Sequence, residues 1–132
     1  MKKIITLLFI ALVSTSITFA QNNSTKKADK LFDRLEYVKA AEEYLKLADK
    51  SPDNYIIERL ADSYYNIFNT REAEKWYSKI IDDEPDAEVI FRYSEMLKAN
   101  GKYKESNVWM SKFSEMKPYD TRAIAFLSLI HI

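Results

Sequence analysis

The side chains able to carry chemistry in this 132-residue chain are few in kind and regular in place. There is no cysteine, and the single histidine, His131, stands one residue from the end. A histidine-based triad or a zinc site of the usual ligands cannot be assembled from that inventory. One glycine leaves no material for a glycine-rich phosphate loop. What remains is carboxylates and cations in a pattern. Asp29, Asp62 and Glu95 lie 33 residues apart, and Lys26, Arg59 and Arg92 precede them by three. On a helix such pairs meet at i,i+3 and contribute about 0.2–0.5 kcal/mol each. A column of carboxylates on one face can also hold a cationic partner. Neither reading calls for a cofactor, a metal or catalysis. Trp76 and Trp109 recur at the same interval, and large aromatic residues on helices point first to packing between repeats.

Lys plus Arg and Asp plus Glu are 20 each, so the chain lacks the basic excess of a nucleic-acid binder. One glycine, three prolines and 14% aromatic residues favour packed helices with few sharp turns. Residues 1–20, MKKIITLLFIALVSTSITFA, form a separate object. Lys2 and Lys3 precede an apolar run from Ile4 to Val13, and Thr18-Phe19-Ala20 closes it. That order is expected of a secretory signal peptide cleaved after Ala20. The apolar run is too short against the roughly 20 residues needed to span a bilayer, so the mature chain is expected to lack a transmembrane helix. No cysteine follows for a lipid anchor. Removing Lys2 and Lys3 from the 20 basic residues leaves 18 against 20 acidic ones, a mature net charge of −2. Export to the periplasm or the outer membrane is the expectation.

The elements that must position the charges repeat with the same period. Ala28, Ala61 and Ser94 are small; Leu31, Tyr64 and Leu97 are large and apolar. Ala40, Ala73 and Ser106 are small again, and Tyr44, Tyr77 and Met110 are large. Leu47, Ile80 and Phe113 extend the pattern, and Pro52, Pro85 and Pro118 close the units. Each unit holds two helical patterns. Ile57, Leu60, Ala61, Tyr64 and Phe68 share one helix face, and Ala73, Trp76, Tyr77, Ile80 and Ile81 the next. Asn69 and Glu72 have capping-box spacing, and Asp86 can cap the following helix. Small residues let helices cross closely, and large ones fill the space around the crossing. Neither helix buries its apolar face alone, so neighbouring units must stack.

This pattern resembles the tetratricopeptide repeat (TPR), at Leu60-Ala61, Tyr64, Ala73, Tyr77 and Pro85 of the second unit, Gly101 and Tyr103 of the third and Tyr37 of the first. The period of 33 departs from the usual 34, and Ser24 and Lys27 stand where apolar residues are expected, so the first helix is expected to fray. The resemblance implies an all-α, right-handed superhelix of antiparallel helix pairs. Three repeats (21–52, 53–85 and 86–118) precede a partial fourth helix at 119–132. It also implies a concave groove that binds protein or peptide partners. The groove positions are Asp29 and Phe32; Tyr55, Glu58, Asp62 and Tyr65; and Phe91, Glu95 and Lys98. An acidic, tyrosine-lined groove would take basic or aromatic segments. Asp62 and Glu95 argue against the basic clamp with which one subfamily grips C-terminal carboxylates.

After Pro118, Asp120 can cap a helix with Ala123, Ile124, Leu127 and Ile130 on its apolar face. Leu127 falls in the column of small residues, and the chain stops within an apolar segment. Truncation is the expectation, with Leu127 to Ile132 read as non-native adapter sequence. The leader followed by tyrosine-rich units ending DKSP, DDEP and EMKP resembles the N-terminal part of bacterial OmpA-family outer-membrane proteins. That resemblance implies a role in envelope assembly and a peptidoglycan-binding domain further along.

Overall fold

Short carboxylate side chains start α-helices at the head of the second and third units and after Pro118. Asp53 Oδ1 accepts the Ile56 N–H at 2.8 Å and Asp86 Oδ1 the Val89 N–H at 2.9 Å, two N-caps one repeat apart. Asp120 Oδ1 accepts the Arg122 N–H at 3.0 Å. The computed structural model describes residues 24–128, and among them there are helices and turns but no strand. Helix α1 runs through 24–33, followed by α2 (Tyr37–Lys50), α3 (Asn54–Asn66), α4 (Thr70–Tyr77), α5 (Ala87–Ala99), α6 (Tyr103–Met116) and α7 (Thr121–Ser128). From α2 onward each helix packs on the next, and α3 also meets α5. The result is a stack of helix pairs whose first members line one side. The expected leader and the expected apolar Ile130 lie outside the described residues. No described helix is long and apolar enough to cross a membrane.

The first helices of the three full units, α1, α3 and α5, stop in the same way. The Leu35 and Glu36 N–H groups donate to the Phe32 and Leu31 carbonyls, those of Phe68 and Asn69 to Tyr65 and Tyr64, and those of Gly101 and Lys102 to Lys98 and Leu97. These are three Schellman turns, a motif built around one left-handed residue. The φ values are 61° at Leu35, 57° at Phe68 and 81° at Gly101, at positions one repeat apart. Glycine takes that conformation freely; a side chain there costs roughly 1–2 kcal/mol. Phe68, expected on the apolar face of α3, therefore sits in the turn with 72% of its surface exposed. The same turn halves the expected capping box. Asn69 Oδ1 accepts the Glu72 N–H at 3.4 Å, but the Asn69 N–H is already given to Tyr64. The Glu72 carboxylate instead accepts from Trp76 Nε1 at 3.3 Å and Lys75 Nζ at 3.2 Å.

The three second helices differ in length. Helices α2 and α6 have 14 residues each, whereas α4 has 8. Ile80 and Ile81 are buried as expected, yet they lie beyond the α-helix in a tightened turn, where Lys79 and Ile80 donate to Trp76 and Tyr77. Asp82, Asp83 and Glu84 follow directly. Three negative charges at a helix C-terminus oppose the macrodipole, and short i→i+3 bonds close the last turn instead.

The columns of small residues mark the crossings. Ala28, Ala61 and Ser94, and Ala40, Ala73 and Ser106, are all buried. In the third unit two serines replace alanines, and their hydroxyls are satisfied: Ser94 Oγ donates to the Phe91 carbonyl and Ser106 Oγ to the Ser94 carbonyl, both at 2.7 Å. The first helix is formed through 24–33, with Thr25 and Ala28 buried and Lys27 Nζ 3.0 Å from Glu43. Helix α7 buries Ala123 and Phe126, leaves Leu127 half-buried and turns Ile124 outward, 62% exposed. The expected Ile124 face is thus displaced by one position, because Phe126 continues the Leu60 and Tyr93 column. Trp76 is buried, and Trp109 packs edge-on against Tyr93 of its own pair at 5.7 Å.

Candidate functional site

The inner side of the stack is built by α1, α3, α5 and α7, and its acidic column is tied down from within. Asp29 Oδ1 accepts the Tyr44 hydroxyl at 2.5 Å and the Tyr55 hydroxyl at 2.8 Å. Asp62 Oδ1 accepts the Tyr77 hydroxyl at 2.5 Å and Arg92 Nη1 at 2.9 Å. Glu95 Oε2 accepts the Tyr65 hydroxyl at 2.6 Å. Every acid of the column therefore bonds across to a neighbouring unit. Asp29 and Asp62 are also latched by a tyrosine of their own second helix. The third latch is absent because Met110 occupies the column of Tyr44 and Tyr77 and has no hydroxyl. Burial and the adjacent Asp29 and Asp62 carboxylates push the Tyr44 and Tyr77 hydroxyls far above their usual range. Burial together with Glu95 pushes Tyr65 up to about 12.

The basic residues three positions earlier do not form the expected pairs within one helix. Arg92 reaches Asp62 of the preceding unit rather than Glu95. The Arg59 guanidinium lies 4.5 Å from the Phe32 ring centroid and 5.5 Å from that of Tyr55. Helix α7 is held in a similar way. Arg122 takes Glu88 at 2.6 Å and Asp120 at 2.7 Å and covers the Phe91 ring at 4.4 Å. Its hydrogen bonds hold Asp120 at about 2.

The nine expected groove residues thus divide. Asp62 is only 6% exposed, and Phe91 is buried against Phe113 at 5.1 Å and beneath Arg122. Asp29 and Phe32 are half-buried, the Phe32 ring meeting Tyr37 at 5.1 Å. Tyr55 remains 46% exposed. Glu58 is half-buried with no hydrogen-bond partner among the described residues, and burial, reinforced by Asp62 and Asp86, raises its pKa. Tyr65, Glu95 and Lys98 come together. With Phe68, Met96 and Phe126 they line a pocket of about 530 Å³, where Lys98 Nζ lies 4.1 Å from the Phe126 ring centroid.

Sequence reasoning missed the tyrosine latches, the reach of Arg92 and the roles of Arg122 and Phe126. A signal for the latches existed: Tyr44 follows Asp29 by 15 residues, and Tyr77 follows Asp62 by the same interval. Among the described residues no group of His, Cys, Asp and Glu could hold a metal ion.

No family model and no curated protein matches the chain. The fold does match solved structures. The second TPR domain of the human RPAP3 protein, whose NMR structure contains an HSP70 peptide, SGPTIEEVD, superposes with a TM-score of 0.72 at 23% identity. The match covers 86% of this chain and 98% of that one. The chain has the tetratricopeptide fold, an all-α stack of helical hairpins.

Proposed function

We propose that the protein is a non-catalytic interaction scaffold that binds a protein segment along its inner face. The observation that carries this reading is the pocket of about 530 Å³. It joins three groove positions on two successive first helices to the apolar rings of Phe68 and Phe126. Apolar walls with a few polar groups at the rim are the usual make-up of a recognition pocket. An aromatic or aliphatic anchor fits the walls. Glu58 is the groove carboxylate left free to pair with a Lys or Arg of the partner, since Asp29, Asp62 and Glu95 are held by internal bonds. The neighbouring fold was solved with an acidic peptide; the unpaired Glu58 favours the opposite charge here.

Peptide display on the full chain tests the proposal. Selected peptides should carry an aromatic or aliphatic anchor near a basic residue. They should weaken by roughly tenfold, about 1.4 kcal/mol, on Glu58→Gln or on Phe126→Ala. Selection of acidic peptides that ignore both substitutions would overturn it.

We place the protein in the bacterial envelope, on the strength of the leader-like residues 1–20, with outer-membrane or periplasmic exposure after cleavage at Ala20. Fractionation with N-terminal sequencing checks this; an intact leader on cytoplasmic protein would refute it. The tyrosine-rich units support a second reading, in which they form the N-terminal segment of an OmpA-family protein that tethers to peptidoglycan through a separate domain. In that reading these residues alone do not sediment with peptidoglycan.

A further inference from the structure

The two edges of the stack differ in chemistry. One edge is formed by the turns from first to second helix, at 30–38, 66–71 and 100–104. It holds five basic residues, Lys30, Arg34, Arg71, Lys102 and Lys104, against Asp33 and Glu36. Glu36 is itself paired, 3.2 Å from Arg34 and 2.7 Å from Lys39, and Lys102 is paired with Glu74, which leaves Lys30, Arg71 and Lys104 as the cations of this edge outside an ion pair among the described residues. The opposite edge, at 49–54, 82–86 and 115–120, holds eight acidic residues against Lys50 and Lys117. Large apolar side chains also stand out from the basic edge. Leu35 is 69% and Phe68 72% exposed, with Val38, Ile67 and Tyr103 exposed beside them. Leu35, Val38 and Ile67 line one shallow depression together with Tyr37, Glu36 and Lys39, so apolar side chains of the first two turns stand side by side there as an apolar ridge.

The backbone makes this ridge hard to explain by folding. Leu35 and Phe68 occupy left-handed positions, φ 61° and 57°, that Gly101 fills in the third unit. A left-handed site disfavours any side chain, and these two bury little in return. Conformational strain retained with the side chain aimed at solvent is a mark of function.

We infer that this edge docks on an anionic lipid surface, with Leu35 and Phe68 entering the headgroup layer and the Lys and Arg residues meeting lipid phosphates. A bilayer interface satisfies apolar and cationic groups at once. The acidic edge of a second copy satisfies only the charges, since it would set the ridge against Asp and Glu side chains. The acidic far edge is repelled by the same surface and fixes the orientation. The ridge shares Phe68 with the inner pocket proposed for peptides, whereas Leu35, Arg71 and Lys104 lie outside it, so Leu35→Gly alone and Arg71→Glu/Lys104→Glu report on the lipid surface independently of peptide binding.

The variant Leu35→Gly/Phe68→Gly removes the ridge while relieving the backbone, so its fold is preserved. The full chain is mixed with vesicles of phosphatidylcholine alone, or of phosphatidylcholine and phosphatidylglycerol in equal parts. Wild type should partition to the anionic vesicles more strongly than the double variant, by roughly tenfold. Arg71→Glu/Lys104→Glu should lose a similar factor, and added salt should abolish the difference. The N-terminal segment is common to all variants and cancels. In a Phe68→Trp variant the additional fluorescence should be quenched by brominated acyl chains. Equal partitioning of wild type and the double glycine variant, without quenching, would overturn the proposal. So would a change in self-association without a change in vesicle binding, which would make the edge an interface between copies.

Discussion

If Asp62 is a strut between repeats and not a free groove charge, its removal should unfold the array rather than only weaken binding. Asp62 is nearly inaccessible and accepts two charge-assisted hydrogen bonds, from the fully buried Tyr77 hydroxyl and from Arg92. Tyr77→Phe deletes one donor and leaves the Arg92 pair, a loss of about 1.5–3 kcal/mol for a bond to a charged group. Asp62→Ala strands a half-buried guanidinium and a buried hydroxyl together, which costs about 3–5 kcal/mol. A domain of this size has roughly 5–15 kcal/mol in all. At about 4–8 °C per kcal/mol the alanine variant should melt at least on the order of 12 °C lower. Thermal and urea unfolding followed by circular dichroism supply both numbers. A double-mutant cycle with Asp62→Asn and Tyr77→Phe should show coupling of at least roughly 1 kcal/mol, since the two groups touch. Additive effects, or an Asp62→Ala cost below about 0.5 kcal/mol, would return Asp62 to the solvated groove surface and refute the strut.

Phe68→Gly should stabilise the fold by about 0.5–1 kcal/mol, the left-handed strain less the added freedom of the unfolded chain. Gly101→Ala should cost about 1 kcal/mol from backbone alone, because a Cβ there meets nothing within 4 Å; urea midpoints report both. Ser106→Ala should change stability by no more than about 1 kcal/mol, as the first two units already carry alanine there, whereas Ala73→Leu should cost about 1–3 kcal/mol or more by overpacking the helix crossing. Burial raises the Glu58 pKa above the unfolded value of 4.5, so the native state holds the extra proton and stability falls as pH rises through 4.5 to the folded pKa. Glu58→Gln should remove that decline and raise stability at neutral pH; identical pH profiles for the two proteins would refute the assignment.

The fold was legible because it rests on volume. Side-chain size at Ala61, Tyr64, Ala73 and Tyr77 repeats one unit on and one unit back, and size alone decides which helices approach closely. Backbone details were less so. Phe68 looked like a core residue because its spacing from Tyr64 is helical, and nothing in its side chain announces a left-handed turn. Its counterpart Gly101 did carry that signal. Helix α4 looked as long as α2, because apolar spacing continues through Ile80 and Ile81. Only the run Asp82-Asp83-Glu84, unfavourable at a helix end, hinted that the backbone tightens first.

The groove charges were misjudged for a reason built into the repeat itself. Arg92 precedes Glu95 by three residues, and Glu95 stands one repeat after Asp62. Arg92 is therefore also thirty residues after Asp62, the separation of their ion pair. Any residue at i−3 within one helix is, in a 33-residue repeat, equally a residue at i+30 from the preceding unit. Tyr65 and Glu95, and Thr70 and Asn100, meet at that same separation. Sequence spacing cannot choose between a local pair of little value and a strut between units, since one periodicity generates both. Burial decides, because a carboxylate withdrawn from water must find donors nearby. Asp62 finds them in Tyr77 and Arg92, whereas Glu58, half-buried on the same helix, accepts no hydrogen bond among the described residues and its pKa is raised by burial.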